Sequence, residues 1–526
     1  MNSTQRSSAR PGWALRLRAL LAAGLGQTGR RFTTPFTALF TALFGASFAV
    51  LIGRLFGRPF GLKLTLVVGL LAGCGGVGQD GTGAAPEAQT TGVISGFGSV
   101  IVGGTRFDVS GAQISIDGTA GATQADLRVG MVVSVTGSLN ADGTSGSARQ
   151  LTYESLLRGS IDDAPASTIL RVLGQRVQID PTTVFSGAAG TGELRLGDRL
   201  QVSGFRNPDG SLRATWVQRE SAGGSLQFTG FVSAVAGNTL TVGGLGLDIS
   251  RATRVGFGTA APAPGQLLRV VLEAAPVAGT ASASRITLID TLAPGGVRVQ
   301  QLQGIVNQWD AAAGRFVLNG PSGQAVQLSA ATQFQDGTRA DLANGKRVEV
   351  RGTRASDGVL QAERLEFFRE VLNAYGRGRV TAVDVAGRRF NVLDLPGLEV
   401  RLRLGTLLDD SSVLGGVLSL ANLAVGDEVL VLGRADSGRI EADLVQRLPR
   451  IAVGAGVGGP VAQIAGTSFT VLGTNVTTNS ADFFDSQGLA LTQAAFFAGL
   501  QQGDGVRAEG VYLAGALVAR TVRRVP

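Results

Sequence analysis

Leu127-Arg-Val-Gly130-Met-Val-Val-Ser-Val-Thr-Gly137 is the stretch on which the reading of this chain turns. An apolar residue stands three positions ahead of a glycine, alternating apolar residues follow, and a second glycine closes the run. The pattern returns as Leu194-Arg-Leu-Gly197-Asp-Arg-Leu-Gln-Val-Ser-Gly204 and Leu342-Ala-Asn-Gly345-Lys-Arg-Val-Glu-Val-Arg-Gly352. It returns again as Leu423-Ala-Val-Gly426-Asp-Glu-Val-Leu-Val-Leu-Gly433 and Leu500-Gln-Gln-Gly503-Asp-Gly-Val-Arg-Ala-Glu-Gly510. A degraded copy, Pro264-Gly265-Gln-Leu-Leu-Arg-Val-Val, lacks the closing glycine. The key glycines Gly130, Gly197, Gly265, Gly345, Gly426 and Gly503 are thus 67, 68, 80, 81 and 77 residues apart. Recurrence at such a period marks a repeat architecture, and alternation with period two marks half-buried strands.

Three further elements keep step with this motif. After it, a turn glycine precedes an alanine by four positions and a larger apolar residue by seven. Examples are Gly210, Ala214 and Val217, then Gly358, Ala362 and Leu365, and Gly143, Ala148 and Leu151 form a variant with one extra residue. Before the motif lies a strand-like segment carrying Phe107, Leu170, Leu240, Phe316, Phe390 or Phe469, and its four phenylalanines are read as one recurring core position. Earlier still comes a glycine-led strand: Gly92-Val-Ile94, Gly159-Ser-Ile161, Gly230-Phe-Val232, Gly304-Ile-Val306, Gly378-Arg-Val380 and Gly459-Pro-Val461. Asp142-Gly143, Asp209-Gly210 and Asp357-Gly358 offer the positive φ that tight hairpins require. Each repeat therefore yields about five short strands, and closure into a small barrel removes exposed edges.

The fold expected is all-β, a tandem array of about six five-stranded OB-like β-barrels behind an N-terminal leader and tether. The repeats run over 92–157, 158–226, 227–291, 300–370, 375–449 and 456–526. Short linkers at Glu154–Arg158 and Gln446–Arg450 imply packed neighbours. Insertions at Ser412–Leu423 and Ala490–Leu500 sit where an OB barrel carries its helix, and the second is helix-compatible. A six-bladed propeller fits less well, because propeller blades repeat at about 40–50 residues.

The basic character of the chain is local. Residues 1–73 hold nine bases and no acid, leaving 38 bases and 39 acids beyond them. A nearly neutral body lacks the footprint expected for phosphate backbones, so no nucleic-acid partner is expected. Upstream of Cys74 stand a basic stretch from Arg54 to Lys63, the apolar run Leu64–Leu70, and Leu71-Ala72-Gly73-Cys74. This is the anatomy of a secretory signal, and its last four residues resemble the lipobox of bacterial lipoproteins. The resemblance implies cleavage between Gly73 and Cys74 and lipidation of Cys74, the chain's only cysteine. Several acyl chains suffice for a stable membrane anchor. Gly75 follows the cysteine, which favours the outer over the inner membrane. Residues 32–53 form an uncharged apolar run long enough to span a bilayer. It is read either as an extra membrane segment or as sequence upstream of the true start, and the second is favoured. Residues 74–91 hold almost no large apolar side chain and are read as a flexible tether.

The run Gly92-Val-Ile-Ser-Gly-Phe-Gly98-Ser-Val-Ile-Val-Gly-Gly-Thr-Arg-Phe107-Asp, with Val129-Gly-Met-Val-Val-Ser-Val-Thr-Gly137, resembles the bacterial family called domain of unknown function 5666. That resemblance covers 92–220 well and the later repeats more loosely. It implies tandem OB-like modules in an exported protein and brings no catalytic residues.

Candidate chemistry is sparse. There is no histidine, so histidine triads and histidine metal sites are excluded. The anchor uses the one thiol, which also removes zinc–cysteine sites and a cysteine nucleophile. No catalytic residue, cofactor or metal site is assigned. Lys346, the only lysine after the leader, occupies a turn position that Asp198, Asp427 and Asp504 fill in sister repeats. Gly454-Ala-Gly456-Val-Gly-Gly459 matches a dinucleotide-binding pattern but precedes a strand and not a helix, and is read as an inter-repeat linker. Asp162-Asp163 and Asp409-Asp410 are read as solvated turn residues, since strand neighbours point to opposite faces. Of Trp216, Trp309, Tyr153, Tyr375 and Tyr512, Trp216 is read as core.

The function expected is a non-enzymatic, lipid-anchored envelope protein whose modules bind a protein or polysaccharide or serve a structural role. A carboxylate-dependent hydrolase of envelope polymers is the first alternative, requiring two acids to converge from different strands. A nucleic-acid-binding OB array is the second.

Overall fold

In a computed structural model, the described residues are 87–140, 143–166, 168–221, 223–289, 297–368, 372–393, 397–413, 416–449 and 454–525. Gly73, Cys74, the apolar run 32–53 and the tether up to residue 86 lie outside them.

The key glycine of each repeat performs one backbone task. Gly130, Gly197, Gly265, Gly345, Gly426 and Gly503 take φ values of 92°, 85°, 86°, 89°, 92° and 93°, open to glycine without steric cost. Held this way, their N–H groups donate to the carbonyls of Ile94, Ile161, Val232, Val306, Val380 and Val461 at 2.8–3.0 Å. Those acceptors end the glycine-led segments, so each bond ties the start of the fourth strand to the first.

The strands of module 1 are Glu87–Gly96, Val100–Val102, Thr105–Asp108, Val132–Leu139 and Ser145–Tyr153. First pairs second and second pairs third, both antiparallel, while the third runs parallel to the fifth. The fifth pairs the fourth and the fourth returns to the first, both antiparallel. This circuit is a closed five-stranded barrel of OB type. Modules 2 to 6 repeat it, with module 2 joining first to second strand through the single bridge Ile161↔Val172. The later modules begin at lead strands Leu226–Ala236, Val299–Asp310, Ala374–Asp384 and Ala455–Ala465. Module 2 begins at Leu157–Ser160.

The closing glycine and the recurring alanine prove to be one feature. Gly137 pairs with Ala148, Gly204 with Ala214, Gly352 with Ala362, Gly433 with Ala442 and Gly510 with Ala519, each at a register shift. A Cβ on Gly137 would lie 3.0 Å from Ala148 Cα and nearer still to the Ser147 carbonyl oxygen. The bulge thus needs no side chain on one strand and a small one on the other. Module 3, the degraded copy, has Leu272 opposite Ala283 at the corresponding shift.

Inside each barrel, one cross-strand pair joins the second and third strands: Val100↔Phe107, Leu170↔Val177, Leu240↔Leu247, Phe316↔Val326, Phe390↔Val400 and Phe469↔Val476. All are buried. Phe107 is core as read, but it does not share a position with Phe316, Phe390 and Phe469. It stands on the third strand, facing the place those residues occupy on the second. Both strands alternate alike, so periodicity alone could not separate them.

The expected junction helix exists in module 6 as α1, Gln493–Ala498, capped by Thr492 Oγ1 accepting from Ala495 N. Modules 1, 2 and 4 have a single 3₁₀ turn there, Gln124–Asp126, Thr191–Glu193 and Arg339–Asp341. In module 5 the insertion instead adds Gly416–Val417 against the end of the third strand, Leu398–Asp410.

The modules also pair with one another through their lead strands, within one compact unit. Ala88–Thr91 runs parallel to Val299–Leu302, joining modules 1 and 4. Antiparallel pairs join module 2 to 3 at Leu157↔Phe228 and module 5 to 6 at Gly376↔Val457. The tether expected over 74–91 therefore stops short: its last residues, 87–91, are strand, and Ala88 is buried. They pair with Ser134–Ser138 of their own barrel and with Val299–Leu302 some two hundred residues away, both beyond the reach of a local composition reading.

Candidate functional site

The site begins with Arg347-Val-Glu-Val-Arg351 on the fourth strand of module 4, Arg347–Arg354. Val348 and Val350 are fully buried in the barrel. Alternation turns Arg347, Glu349 and Arg351 to the outer face, where they line a cavity of about 520 Å³. Its walls come from four modules. Gly103, Gly104 and Thr105 belong to module 1, Asp180 and Arg213 to module 2, Gln301 and Gln303 to module 4, and Leu402, Arg403 and Asp443 to module 5.

Most charges in this wall are matched. Arg403 Nη2 bonds Asp336 and reaches Glu366 at 2.8 Å, and its Nη1 lies 3.6 Å from Asp443. Arg364 reaches Glu366 at 3.2 Å, and Arg213 lies 3.6 Å from Asp180. Gln301 and Gln303 each donate from Nε2 to the Glu349 carboxylate at 2.7 Å. Gln301 is fixed in turn by Thr105 Oγ1, and Gln303 by the Val93 N–H, so module 1 orients both amides. Burial pushes the Glu349 carboxyl above its usual value, and the bonds from Gln303 and Gln301 work against that rise.

Arg347 and Arg351 are different. The Arg347 guanidinium stacks between Phe368, 4.0 Å from the ring centre, and Phe205 of module 2, at 5.0 Å. Its Nε is shielded from solvent and has no hydrogen-bond partner, and burial lowers its pKa to about 10. Arg351 rests over Gly143, where an added Cβ would come within 2.7 Å of Nη2. Neither guanidinium has an ion-pair partner among the described residues. Arg388, also in the wall, donates to the Arg403 carbonyl at 2.7 Å.

The residues singled out in the sequence lie elsewhere. Asp162 and Asp163 are exposed, accepting from the backbone of Gly174 and Ala164. Asp409 and Asp410 end a strand and are not on a solvated turn. Asp409 accepts from Gln446 at 2.7 Å, and burial raises its carboxyl. Asp410, with a side chain 3% exposed, forms a two-point ion pair with Arg447. The two carboxylates thus have different partners, as alternation requires. Lys346 is part-exposed at its turn, where Asp198, Asp427 and Asp504 instead accept from backbone N–H groups at 2.9–3.0 Å.

The linker expected at Gly454–Gly459 is largely strand, since Ala455–Ala465 leads module 6. Its glycines admit Tyr375 of module 5: a Cβ on Gly456 would sit 2.8 Å from Tyr375 Cε1. Tyr375 donates to Glu509, and Arg507 lies 3.7 Å above its ring. Trp216 is wholly buried, but in the core of module 1 and not of its own module. Tyr153 is also wholly buried, while Trp309 and Tyr512 are part-exposed, Trp309 packing edge-on to Phe316.

The sequence reading passed over Arg347, Glu349 and Arg351. One signal existed: sister fourth strands carry Val132, Ser134 and Thr136 or Arg199, Gln201 and Ser203 on this outer face, so three charges in a row are peculiar to module 4. Among the described residues there is no cluster of three or more potential metal ligands, and no helix is long and apolar enough to cross a membrane.

The family model described as "Domain of unknown function (DUF5666)" matches residues 91–148, 158–218, 229–287, 303–366 and 458–523. Module 5 lies between the last two matches and closes through the same bonds. No curated protein matches the chain.

Proposed function

The chain belongs to the family described as Domain of unknown function (DUF5666), and from that premise we propose that it is a non-enzymatic lipoprotein of the cell envelope whose joined modules form a binding scaffold. The binding reading is carried by the cavity: its walls are drawn from four modules, and no single barrel encloses it. Cavities of about 300–1,000 Å³ with a few convergent polar groups are typical small-ligand sites. Anchoring is supported by Leu71-Ala72-Gly73-Cys74, with the chain's one cysteine in the acceptor place. The chain has no histidine, and the proposed anchor takes up its one thiol, which supports a binding role over catalysis. The outer membrane is the favoured location, with an envelope protein or polysaccharide as partner.

The test is acyl labelling and membrane fractionation of the full chain and of Cys74→Ala. Loss of label and of membrane association in the variant is the expected result. Unchanged membrane association would overturn the anchor.

A second reading has one observation in its favour. The hydrolase alternative needs acids from different strands, and Glu349 faces Glu366 across a strand pair in the cavity wall. Both are already engaged, Glu349 by two amides and Glu366 by two guanidinium groups. Turnover of glycans or esters by the full chain, abolished in Glu349→Gln, would establish this reading in place of the first.

A further inference from the structure

We propose that the four-module cavity binds a small organic oxyanion, a carboxylate or phosphate, with Arg347 and Arg351 as the cations in its wall that attract it. The inference rests on the binding-scaffold reading and names the ligand class of that site.

Three observations converge on it. First, the cationic excess is specific. Asp180, Glu366 and Asp443 each lie within 4 Å of an arginine of the wall, and the Glu349 oxygens are covered by Gln301 and Gln303. Arg347 and Arg351 have no such partner among the described residues. Second, Arg347 is held in place without one. Its two aromatic neighbours fix the guanidinium plane while its Nε goes unpartnered. Those contacts hold the cation in the cavity wall without neutralising it, and an oxyanion in the cavity would supply the missing counter-charge. Third, Arg351 stands directly opposite Arg364. Like charges in that relation are destabilising, and an anion beside them would offset the repulsion. Guanidinium groups suit this role because their planar fork matches carboxylate and phosphate geometry.

Apolar wall residues such as Leu402, Leu404 and Phe367 suit an anion carried on an organic body. A bare ion would leave them idle.

The test is calorimetric titration of the full chain in detergent with glucuronate, with inorganic phosphate, and with glucose as a neutral control. The expected result is a dissociation constant of about 1 mM or tighter for glucuronate, weakened by salt, and no binding of glucose. Tighter binding of phosphate than of glucuronate would assign the site to the phosphate branch of the same chemistry. Arg347→Met and Arg351→Gln should each weaken binding about tenfold or more, while Arg520→Gln, outside the cavity wall, should leave it unchanged. Arg351 has no ion-pair partner among the described residues, so its variant keeps the test valid if Arg347→Met fails to fold. Binding of neither oxyanion, or equal binding by both variants, would overturn the proposal. Acyl labelling is read separately, so failure of the anchor and failure of this site are distinguishable.

Discussion

Glu349 and Glu366 lie directly opposite one another on adjacent antiparallel strands, like charge facing like charge. Such a pair is destabilising by about 0.2–1 kcal/mol when both groups are ionised. Burial and then Glu366 raise the Glu349 carboxyl above its ordinary 4.5, against the pull of Gln303 and Gln301. The linkage has a definite sign. A carboxyl whose folded value is raised favours the fold below its unfolded value, and that contribution is lost as pH climbs through the folded value. Glu349→Gln should therefore flatten the fall in Tm between about pH 4.5 and neutrality. At every pH it should also lose about 1 kcal/mol, because an amide at 349 offers only one acceptor oxygen to Gln301 and Gln303. Melting curves across that range check both statements. A wild-type advantage over the variant that grows with pH would contradict them.

Asp410 has the opposite linkage. Burial alone would raise its carboxyl, but Arg447 and Ser412 more than offset this and hold it below 3.8. Its contribution is present above the unfolded value and is lost as pH falls through the folded one. Arg447 also reaches Asp427 at 3.3 Å, whose side chain is 9% exposed. Arg447→Met strips the shielded Asp410 carboxylate of its two-point ion pair and should destabilise by about 3–5 kcal/mol at neutral pH, measured by urea unfolding. The deficit should shrink on acidification, because protonation removes the uncompensated charge.

Trp216 couples two modules. Its indole N–H donates to Ser186 Oγ at 3.1 Å while its ring packs in the core of module 1. Thr215 Oγ1 donates to the Gly130 carbonyl at 2.6 Å, and Val132 N donates to Ser203 Oγ at 2.8 Å across the same seam. Trp216→Ala should cost about 3–5 kcal/mol. It should also split thermal unfolding, module 1 melting apart from module 2. A variant that still unfolds in step with the parent would show that the coupling lies elsewhere.

What the sequence disclosed and what it withheld divide along a physical line. Gly130 and its five counterparts answer a local backbone demand, a positive φ at barrel closure, and Gly137 with Ala148 answers another at the bulge. Local demands leave a mark at fixed spacing, so the six barrels were legible. The pairing of Ala88–Thr91 with Val299–Leu302 is set by which barrels meet, and nothing in either strand names the other. The cavity arises from that meeting, so its walls were hidden for the same reason. Asp410 and Gly456 were misjudged in the same way: the partners that bury them, Arg447 and Tyr375, come from other strands. Arg347, Glu349 and Arg351 were within reach, because comparing outer faces among the repeats isolates them without any structure.

The cross-strand pair at the centre of each barrel makes the last prediction. Module 1 places Val100 opposite Phe107, and module 4 places Phe316 opposite Val326. The same two side chains fill the layer from opposite sides, and all four are buried. If volume is what the site selects, either single change must hurt. Phe107→Val removes most of a buried ring and should cost about 2–4 kcal/mol through the void it leaves. Val100→Phe crowds a packed layer and should cost about 1–3 kcal/mol. Combining them rebuilds in module 1 the arrangement of module 4. The double variant should recover more than half of the summed loss, a coupling that additive sites do not show. Chemical unfolding of the four proteins measures it, and strict additivity would mean that shape on each strand, not shared volume, sets the pair.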